Sequence, residues 1–237
     1  MCGFTKKNDD FPTFGIRKTE GVEFKILKMI PKGVKNILFD LGGVLLDIDP
    51  RRSVAAFREM GMADLIRPGG WSYDHEVFLK MEQGLISDRE FRDGVRALLP
   101  GPASDEAIDR AWCAMLIRFP EEKIQLLRHL ASRYRLFLFS NTNSIHIRYF
   151  HDLFFRQFGY PFPSLFGKDY YSSDIRLRKP DIRAFEYVLK DAALVPEETL
   201  FIDDLDKNTE NAALTGMHTI CLRPGMDLAA LLGTHSA

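Results

Sequence analysis

Short runs of apolar residues recur along the chain at intervals that suit the strands of a parallel sheet. The first confident run, Ile37-Leu38-Phe39, ends at Asp40 and is followed at once by two glycines. A continuous apolar run bounded by turn residues is typical of a strand buried on both faces. The same pattern predicts further strands at 136–139, 170–171, 199–202 and 218–222.

Between these strands, apolar residues recur at the three- to four-residue spacing of amphipathic helices. Helices are predicted over 121–134, 181–194 and 206–215, and the aromatic stretch 145–166 is expected to pack as core. Strands that alternate with helices predict right-handed crossovers. The fold class is therefore α/β, a doubly wound, Rossmann-like parallel five-stranded sheet.

The stretch 51–119 differs because it contains helical patterns and no strand pattern. Helices are predicted over 51–61, 71–83, 87–99 and 104–119, the third opening with a capping box. We interpret 51–119 as a helical cap inserted after the first strand, with 34–50 and 120–237 forming the core. Residues 1–33 show no sustained period and are expected to be an extension, either loosely attached or translated from a start codon upstream of the true one.

Composition and charge exclude several functional classes. The 237 residues are 46% hydrophobic, and 32 basic residues oppose 33 acidic ones. A net charge of −1 gives no general basic surface for nucleic acid, and no long apolar segment predicts a membrane span. Cys2, Cys113 and Cys221 lack metal-ligand spacing, which is typical of a cytoplasmic protein. We expect a monomer or weak dimer without nucleic-acid or membrane partners.

Four predicted strand ends carry polar side chains that can meet at one edge of the sheet. Asp40 follows the first strand, Ser140 the second, Lys179 lies near the third, and Asp203-Asp204 follows the fourth. Ligands bind outside the carboxyl ends of parallel strands in such sheets. Because neighbouring carboxylates repel one another, a site that keeps them ionised needs cations, and oxygen ligands favour magnesium over zinc.

Each of these residues also has a purely structural interpretation. Ser140 could cap a helix, Lys179 could be a solvated surface charge, and Asp203 with Asp204 could be a capping pair. The four positions together, in order at strand ends, favour the functional interpretation.

The four segments together resemble the ordered motifs of the haloacid dehalogenase-like hydrolases. They read Phe-Asp-Leu-Gly-Gly-Val, Phe-Ser-Asn-Thr-Asn, Arg-Lys-Pro-Asp and Phe-Ile-Asp-Asp. The resemblance covers residues 34–224 and includes a helical cap after the first motif. The pattern is similar to helical-cap subfamily I phosphatases, among them bacterial α-glucose-1-phosphate phosphatases.

The resemblance implies a magnesium-dependent phosphatase that acts on a small phosphorylated metabolite. Asp40 would be the nucleophile that forms an aspartyl-phosphate. Ser140 and Lys179 would hold the phosphoryl oxygens, with Asn141 and Thr142 as additional phosphate contacts.

The resemblance also implies a ligand set for Mg²⁺. The ion would bind between Asp40, the main-chain carbonyl of Gly42 and Asp204. Asp203 would be an indirect or water-mediated partner.

One position departs from the family pattern. Most phosphatases of the family carry a second Asp two residues after the nucleophile as acid and base, and here that residue is Gly42. General acid–base catalysis contributes about 10²–10⁴ in rate, so its loss should matter most for simple alkyl leaving groups. Anomeric sugar phosphates, acyl phosphates and aryl phosphates have better leaving groups and should be less affected. The resemblance to α-glucose-1-phosphate phosphatases makes a sugar phosphate the expected substrate. Asp47 and Asp49 could supply the acid, but their place past the turn favours a role in the hinge of the cap.

Two other functions stay open at this point. A dehalogenase would use Asp40 without metal, but the Asp203-Asp204 pair and Gly42 disfavour it. A catalytically weak protein that binds a phosphorylated ligand or partner would explain Gly42.

The cap is expected to close as a lid, with hinges near 49–50 and 119–120. Trp71, Tyr73, His75 and Glu82 are candidates for selecting the substrate. Arg176 and Arg178 could bind anions or lie in a solvated loop.

Overall fold

The computed structural model describes residues 30–62 and 75–232. Its strands are β1 (Asn36–Phe39), β2 (Asp47–Ile48), β3 (Leu116–Arg118), β4 (Arg135–Ser140), β5 (Lys168–Tyr171), β6 (Thr199–Asp203) and β7 (His218–Cys221). Its α-helices are α1 (Pro50–Glu59), α2 (Glu76–Glu82), α3 (Asp88–Arg96), α4 (Asp105–Cys113), α5 (Glu121–Leu130), α6 (Ser144–Phe158), α7 (Ser172–Ile175), α8 (Ile182–Asp191), α9 (Asp206–Ala213) and α10 (Leu228–Leu232). None of these helices has the length and apolar content needed to cross a membrane. The predicted extension 1–33 lies almost wholly outside the described residues.

Five strands form one parallel sheet in the order β5-β4-β1-β6-β7. β1 lies at its centre, with Leu38 between Phe137 of β4 and Phe201 of β6. All four residues of β1 are buried, as the continuous apolar run predicted. The predicted five-stranded α/β sheet is confirmed, with strand ends moved by one or two residues.

Helices cover both faces of this sheet. Ile37 packs in a cluster with α5, α6 and α10, whereas Leu38 packs in a second cluster with α8 and α9. Successive strand side chains point to opposite faces, so a strand apolar at every position needs a hydrophobic layer on each side. The aromatic stretch contributes to the first layer, where Phe150 and Phe154 are fully buried.

Helices α1 to α4 lie in the region predicted to be the cap, but the prediction that 51–119 is all helical is wrong at its end. α4 ends at Cys113, and β3 pairs antiparallel with β2. The two crossings between core and cap thus form a two-stranded ribbon. β3 has only three residues, and its pairing partner lies about 70 positions away, so local sequence could not reveal it.

The cap packs against the core through a continuous hydrophobic cluster. Phe57, Phe78 and Trp112 of the cap belong to the same cluster as the α5 and α6 face of the sheet. Trp112 also stacks on His146 of α6, with ring centroids 4.5 Å apart, and His146 Nε2 lies 3.1 Å from the Trp112 carbonyl oxygen. The described cap is therefore docked on the core, directly over the edge of the sheet.

Candidate active site

Asp40 lies where the central strand leaves the sheet. Its main-chain amide donates to the carbonyl of Ile202 at 2.8 Å, which continues the pairing of β1 with β6 by one residue. Because β1 is central, Asp40 has strand ends on both sides, and only 7% of its surface is exposed. The buried strand therefore presents one carboxylate at the middle of the sheet edge.

The turn after Asp40 brings the backbone close to Asp204. Gly43 has a φ of +75°, in the left-handed region that glycine tolerates best. A Cβ at this residue would overlap Oδ2 of Asp204. At Gly42, a Cβ would meet Cδ1 of Ile48 at 3.0 Å. The position that lacks the usual acid therefore faces a hydrocarbon side chain.

Lys179 is the cation at the base of the site. Its Nζ donates to Asp40 Oδ1 at 2.6 Å, to Asp203 Oδ2 at 2.6 Å and to the Phe139 carbonyl at 2.9 Å. All three ammonium donors are thus used, and the residue is 1% exposed. The alternative that Lys179 is a solvated surface charge is wrong.

Two asparagine side chains fix the backbone that carries Lys179. Asn141 accepts from the Lys179 amide and donates to the Lys179 carbonyl, both at 2.9 Å. Asn211 of α9 donates to the next carbonyl, that of Pro180, at 2.7 Å. These three hydrogen bonds position Lys179 beneath Asp40 from two different elements.

Both carboxylate oxygens of Asp203 are occupied. Oδ2 accepts from Lys179, and Oδ1 accepts from the Leu205 amide and from Asn208 Nδ2, each at 2.9 Å. Asp203 is fully buried, so its role in this arrangement is to hold Lys179. We call Asp40, Lys179, Asp203 and Asp204 the floor cluster.

Burial dominates the electrostatics of the floor cluster. It raises the pKa of Asp40 to about 7, in spite of Lys179, and it raises the pKa of Asp204 to about 6 together with repulsion from Asp203. Burial opposes the charge of Lys179, but Asp40 and Asp203 outweigh it and raise the Lys179 pKa. With three carboxylates to one ammonium, the cluster favours an additional cation.

The donor set fits a magnesium ion. One oxygen from each of Asp40, Asp203 and Asp204 lies within 4.8 Å of the others. Carboxylate oxygens are ligands that Mg²⁺ prefers. Because both oxygens of Asp203 are hydrogen-bonded, Asp40 and Asp204 are the carboxylates that face the cavity.

The predicted phosphate-binding residues differ in whether they line the cavity. Ser140 ends β4, is 4% exposed and lines the cavity. Asn141 also lines the cavity, but its side-chain amide is bonded to Lys179. Thr142 is not among the lining residues, and its amide donates to Ser172 Oγ at 2.9 Å.

A cavity of about 960 Å³ opens between the floor cluster and the cap. Its walls come from the cap, from the start of α5 and from the segment 222–229. The apolar part of the lining comprises Ile48, Phe78, Leu79, Met115, Leu205, Leu222, Met226 and Leu228. The site thus has a charged base and an upper wall that contains both apolar and charged side chains.

One ion pair in this wall joins the cap to the core. Arg178 Nη2 donates to Glu82 Oε2 at 3.1 Å, with 33% and 25% of the two side chains exposed. We call Glu82 and Arg178 the wall pair. Ser172 Oγ lies 2.7 Å from the Glu82 carbonyl oxygen, and a Cβ at Gly84 would overlap the Ser173 carbonyl oxygen. The end of α2 is therefore held closely against α7.

The other cap and hinge candidates have structural contacts. His75 caps α2, where its Nδ1 accepts from the Val77 amide at 3.3 Å. Asp49 caps α1 and pairs with Arg51. Trp71 and Tyr73 lie outside the described residues.

Asp47 lies in the ribbon at the base of the cap. Its carboxylate pairs with Arg118 of β3 and with Lys123 of α5, each at 3.3 Å. Neither Asp47 nor Asp49 is among the residues that line the cavity. The hinge role of these two residues stays a prediction.

Sequence reasoning did not identify Ser172, Asn208 and Asn211. Asn208 lies five residues after Asp203 at the start of a predicted helix, and this spacing could have indicated a contact with the strand end. Ser172 and Asn211 act through main-chain groups that are distant in sequence, so no local pattern marks them.

Known proteins agree with this geometry. A family model described as haloacid dehalogenase-like hydrolase matches residues 34–210. The chain is 30% identical over 194 residues to D-ribitol-5-phosphate phosphatase from Bacteroides thetaiotaomicron, covering 82% of this chain and 94% of the relative. It is 28% identical over 203 residues to the sesquiterpene phosphatase astK from Aspergillus oryzae, covering 84% and 97%.

A solved structure shows the same architecture. It is a HAD family enzyme from Bacteroides thetaiotaomicron in complex with magnesium and inorganic phosphate, with a TM-score of 0.77 and 36% identity. The alignment covers 84% of this chain and 98% of that one. With its motifs in order at the strand ends and a family model that matches most of its length, the chain belongs to the haloacid dehalogenase-like hydrolases and is an enzyme of that family.

Proposed function

We propose that this enzyme is a Mg²⁺-dependent phosphatase that hydrolyses a small sugar phosphate or sugar-alcohol phosphate through Asp40. The observation that carries the proposal is the buried Lys179, bonded at 2.6 Å to both Asp40 and Asp203 at the base of a cavity. The phosphatases among the relatives support the same class of substrate. Asp40, the Gly42 carbonyl and Asp204 would hold Mg²⁺.

When bound, Mg²⁺ supplies positive charge next to the phosphoryl oxygens and offsets the excess of carboxylates. The chain supplies the rest of the binding site. Ser140, which lines the cavity, would donate its hydroxyl to a phosphoryl oxygen, and Lys179 holds Asp40 through a hydrogen bond of 2.6 Å. This preorganised charge lowers the barrier because no groups need to reorient during the reaction.

The reaction proceeds in two displacements. A carboxylate oxygen of Asp40 attacks phosphorus, the bond from phosphorus to the alcohol oxygen breaks, and an aspartyl-phosphate forms. The alcohol oxygen takes its proton from solvent, since residue 42 carries no side chain. Water then attacks phosphorus, which releases inorganic phosphate and restores the Asp40 carboxylate.

Ile48 beside Gly42 bears on the choice of leaving group. A hydrocarbon cannot protonate an alkoxide, so anomeric sugar phosphates and aryl phosphates should react faster than primary alkyl phosphates. D-ribitol 5-phosphate, the substrate named for one relative, is an ester of a primary alcohol. A panel that includes both kinds of ester therefore tests the leaving-group argument directly.

The upper wall supports a second candidate substrate class, phosphate esters of apolar alcohols. Leu205 and Met226 line the cavity although 56% and 47% of their surfaces are exposed. Exposed apolar side chains at a cavity mouth suit an apolar substrate. One relative is named as a sesquiterpene phosphatase, and farnesyl monophosphate is the matching probe.

The test measures hydrolysis of p-nitrophenyl phosphate with Mg²⁺, with EDTA and in the Asp40→Asn variant. We expect turnover that requires both the metal and Asp40. Asp191→Asn, which changes an exposed carboxylate on α8, is the control and should retain activity. Folded protein without Mg²⁺-dependent turnover of this ester or of the sugar and farnesyl phosphates would rule out the proposal.

A further inference from the structure

Every cationic side chain that the structure describes along the cavity is already paired with a carboxylate. The pairs are Lys179 with Asp40 and Asp203, Arg178 with Glu82, Lys123 with Asp47, and Arg223 with Asp206. The negative charge of a substrate phosphate group would be compensated by a metal ion bound at the floor cluster. A second anionic group further up the wall meets only cations whose charge is already compensated.

Arg178 is the cation that would matter most for such a group. It directly precedes Lys179 and lines the same cavity as Asp40 and Ser140, where the phosphate is proposed to bind. Its charge is opposed by the Glu82 carboxylate, 3.1 Å away in a partly exposed ion pair. Glu82 therefore decides whether Arg178 is available.

The position of Glu82 is fixed by more than its ion pair. Ser172 Oγ, 2.7 Å from the Glu82 carbonyl oxygen, is also within hydrogen-bonding distance of both main-chain groups of Thr142. This hydroxyl links the end of α2 to the end of β4, the strand that carries Ser140. The Glu82 carboxylate thus stays beside Arg178 in the described arrangement.

We propose that the wall pair makes the cavity selective for phosphate monoesters whose alcohol portion carries no second negative charge. The inference rests on the proposed phosphatase function and adds the property that distinguishes good from poor substrates. A hydroxyl group can donate to Glu82 and accept from Arg178. A carboxylate or second phosphate faces the Glu82 charge and must break an existing pair to reach Arg178.

The guanidinium retains binding capacity once Glu82 is neutralised. Arg178 Nε is buried without a hydrogen-bond partner, so the contact with Glu82 does not use all its donors. Removing the charge of Glu82 should therefore allow Arg178 to bind a second anionic group of the substrate. Burial raises the pKa of Glu82, and the neighbouring Arg178 opposes that rise, so the assays are run at several pH values.

The test compares two esters that differ in one group. Ribitol 5-phosphate ends in a hydroxymethyl group, and 5-phosphoribonate ends in a carboxylate. We expect the wild-type enzyme to prefer ribitol 5-phosphate by at least about tenfold in kcat/KM. In Glu82→Gln the preference should move toward 5-phosphoribonate on the order of tenfold, and the double change with Arg178→Gln should abolish that gain.

Glu122→Gln is the matched control, because Glu122 lines the same cavity and the structure describes no ion pair for it. Glu122→Gln removes one negative charge, as Glu82→Gln does, but it leaves the Arg178–Glu82 pair intact. The kcat/KM ratio of the two esters should therefore change by less than about twofold. Equal shifts in Glu82→Gln and Glu122→Gln, or no shift in a folded and active Glu82→Gln enzyme, would overturn the inference.

Binding separates this inference from the phosphatase proposal. The affinities of both esters for Asp40→Asn protein with Mg²⁺ can be measured by calorimetry, with and without the Glu82→Gln change. If the enzyme turns over neither ester, the ratio of the two affinities still supports or overturns the role of the wall pair. If neither ester is hydrolysed but the protein still binds ribitol 5-phosphate more tightly than 5-phosphoribonate, only the proposed reaction is contradicted.

Discussion

The floor cluster and the wall pair both combine carboxylates with a cation, but they differ in burial. Lys179 and Asp203 are 1% and 0% exposed, whereas Arg178 and Glu82 are 33% and 25% exposed. A fully buried charge left without its partner costs several kcal/mol, so the floor cluster can exist only as a complete set. A partly exposed pair can lose one member at little cost. The difference in burial distinguishes the proposed reaction centre from the wall pair, which is proposed to set specificity.

Removing the cation of the floor cluster should have the largest effect. We expect Lys179→Met to lose stability by about 3–5 kcal/mol, since it leaves Asp40 and Asp203 buried and unpaired. Turnover should fall to background. Lys168→Met removes an exposed ion pair with Asp191 and should cost less than about 1 kcal/mol. Urea unfolding of both variants checks the contrast, and equal losses would contradict it.

The pH dependence of stability should show the cost of the buried carboxylates. Burial raises the pKa of Asp40 to about 7, so the folded protein retains a proton that the unfolded chain has released. The free energy of unfolding of the metal-free protein should therefore decrease as pH rises from about 4 to about 7. Denaturation in EDTA across this range should give a flatter curve for Asp40→Asn. Parallel curves for the two proteins would argue against a raised pKa.

A smaller effect is expected from a residue outside the cavity that positions the floor cluster. Asn211→Ala removes the hydrogen bond to the Pro180 carbonyl and lets the Lys179 segment shift. We expect kcat to fall about tenfold with KM changed by less than about twofold, because small misplacements of reacting groups are costly.

Gln125→Ala is the control for Asn211→Ala, since it removes an exposed amide that donates to Glu121 in the same helix. It should leave both kinetic constants near the wild-type values. If Asn211→Ala behaves like this control, the segment that carries Lys179 is held by Asn141 alone.

The smallest effect on stability should come from the wall pair. Arg178→Gln breaks a partly exposed contact, so the free energy of unfolding should fall by less than about 1 kcal/mol. The same urea unfolding assay measures it beside Lys179→Met. A loss as large as that of Lys179→Met would remove the distinction between floor and wall.

The sequence predicted the position of the floor-cluster carboxylates because they follow strongly apolar runs. Asp40 and Asp203 each follow a continuous apolar run that is typical of a buried strand. The carboxyl ends of parallel strands lie at the same edge of the sheet. The central sheet was predictable for the same reason. The wall pair was only partly predicted, since Glu82 and Arg178 were each named without being linked.

What the sequence could not provide depends on distances between remote segments. No sequence pattern indicated that the Asn141 side chain bonds to the Lys179 backbone, and the predicted contact of Asn141 with phosphate stays a prediction. The pairing of β3 with β2 and the contacts of Ser172 and Asn211 join residues that are far apart in the chain. Such contacts are set by tertiary packing and leave no periodic pattern.

Gly84 has a consequence for anyone who wishes to retarget the enzyme by grafting a different cap. A side chain at this position would overlap the Ser173 carbonyl oxygen. Only glycine therefore allows the end of α2 to approach α7 this closely. A transplanted cap that brings a bulkier residue to this point would be propped away from the reaction centre however well its other side chains suit the new substrate. Graft boundaries are therefore best drawn so that this glycine stays with the recipient.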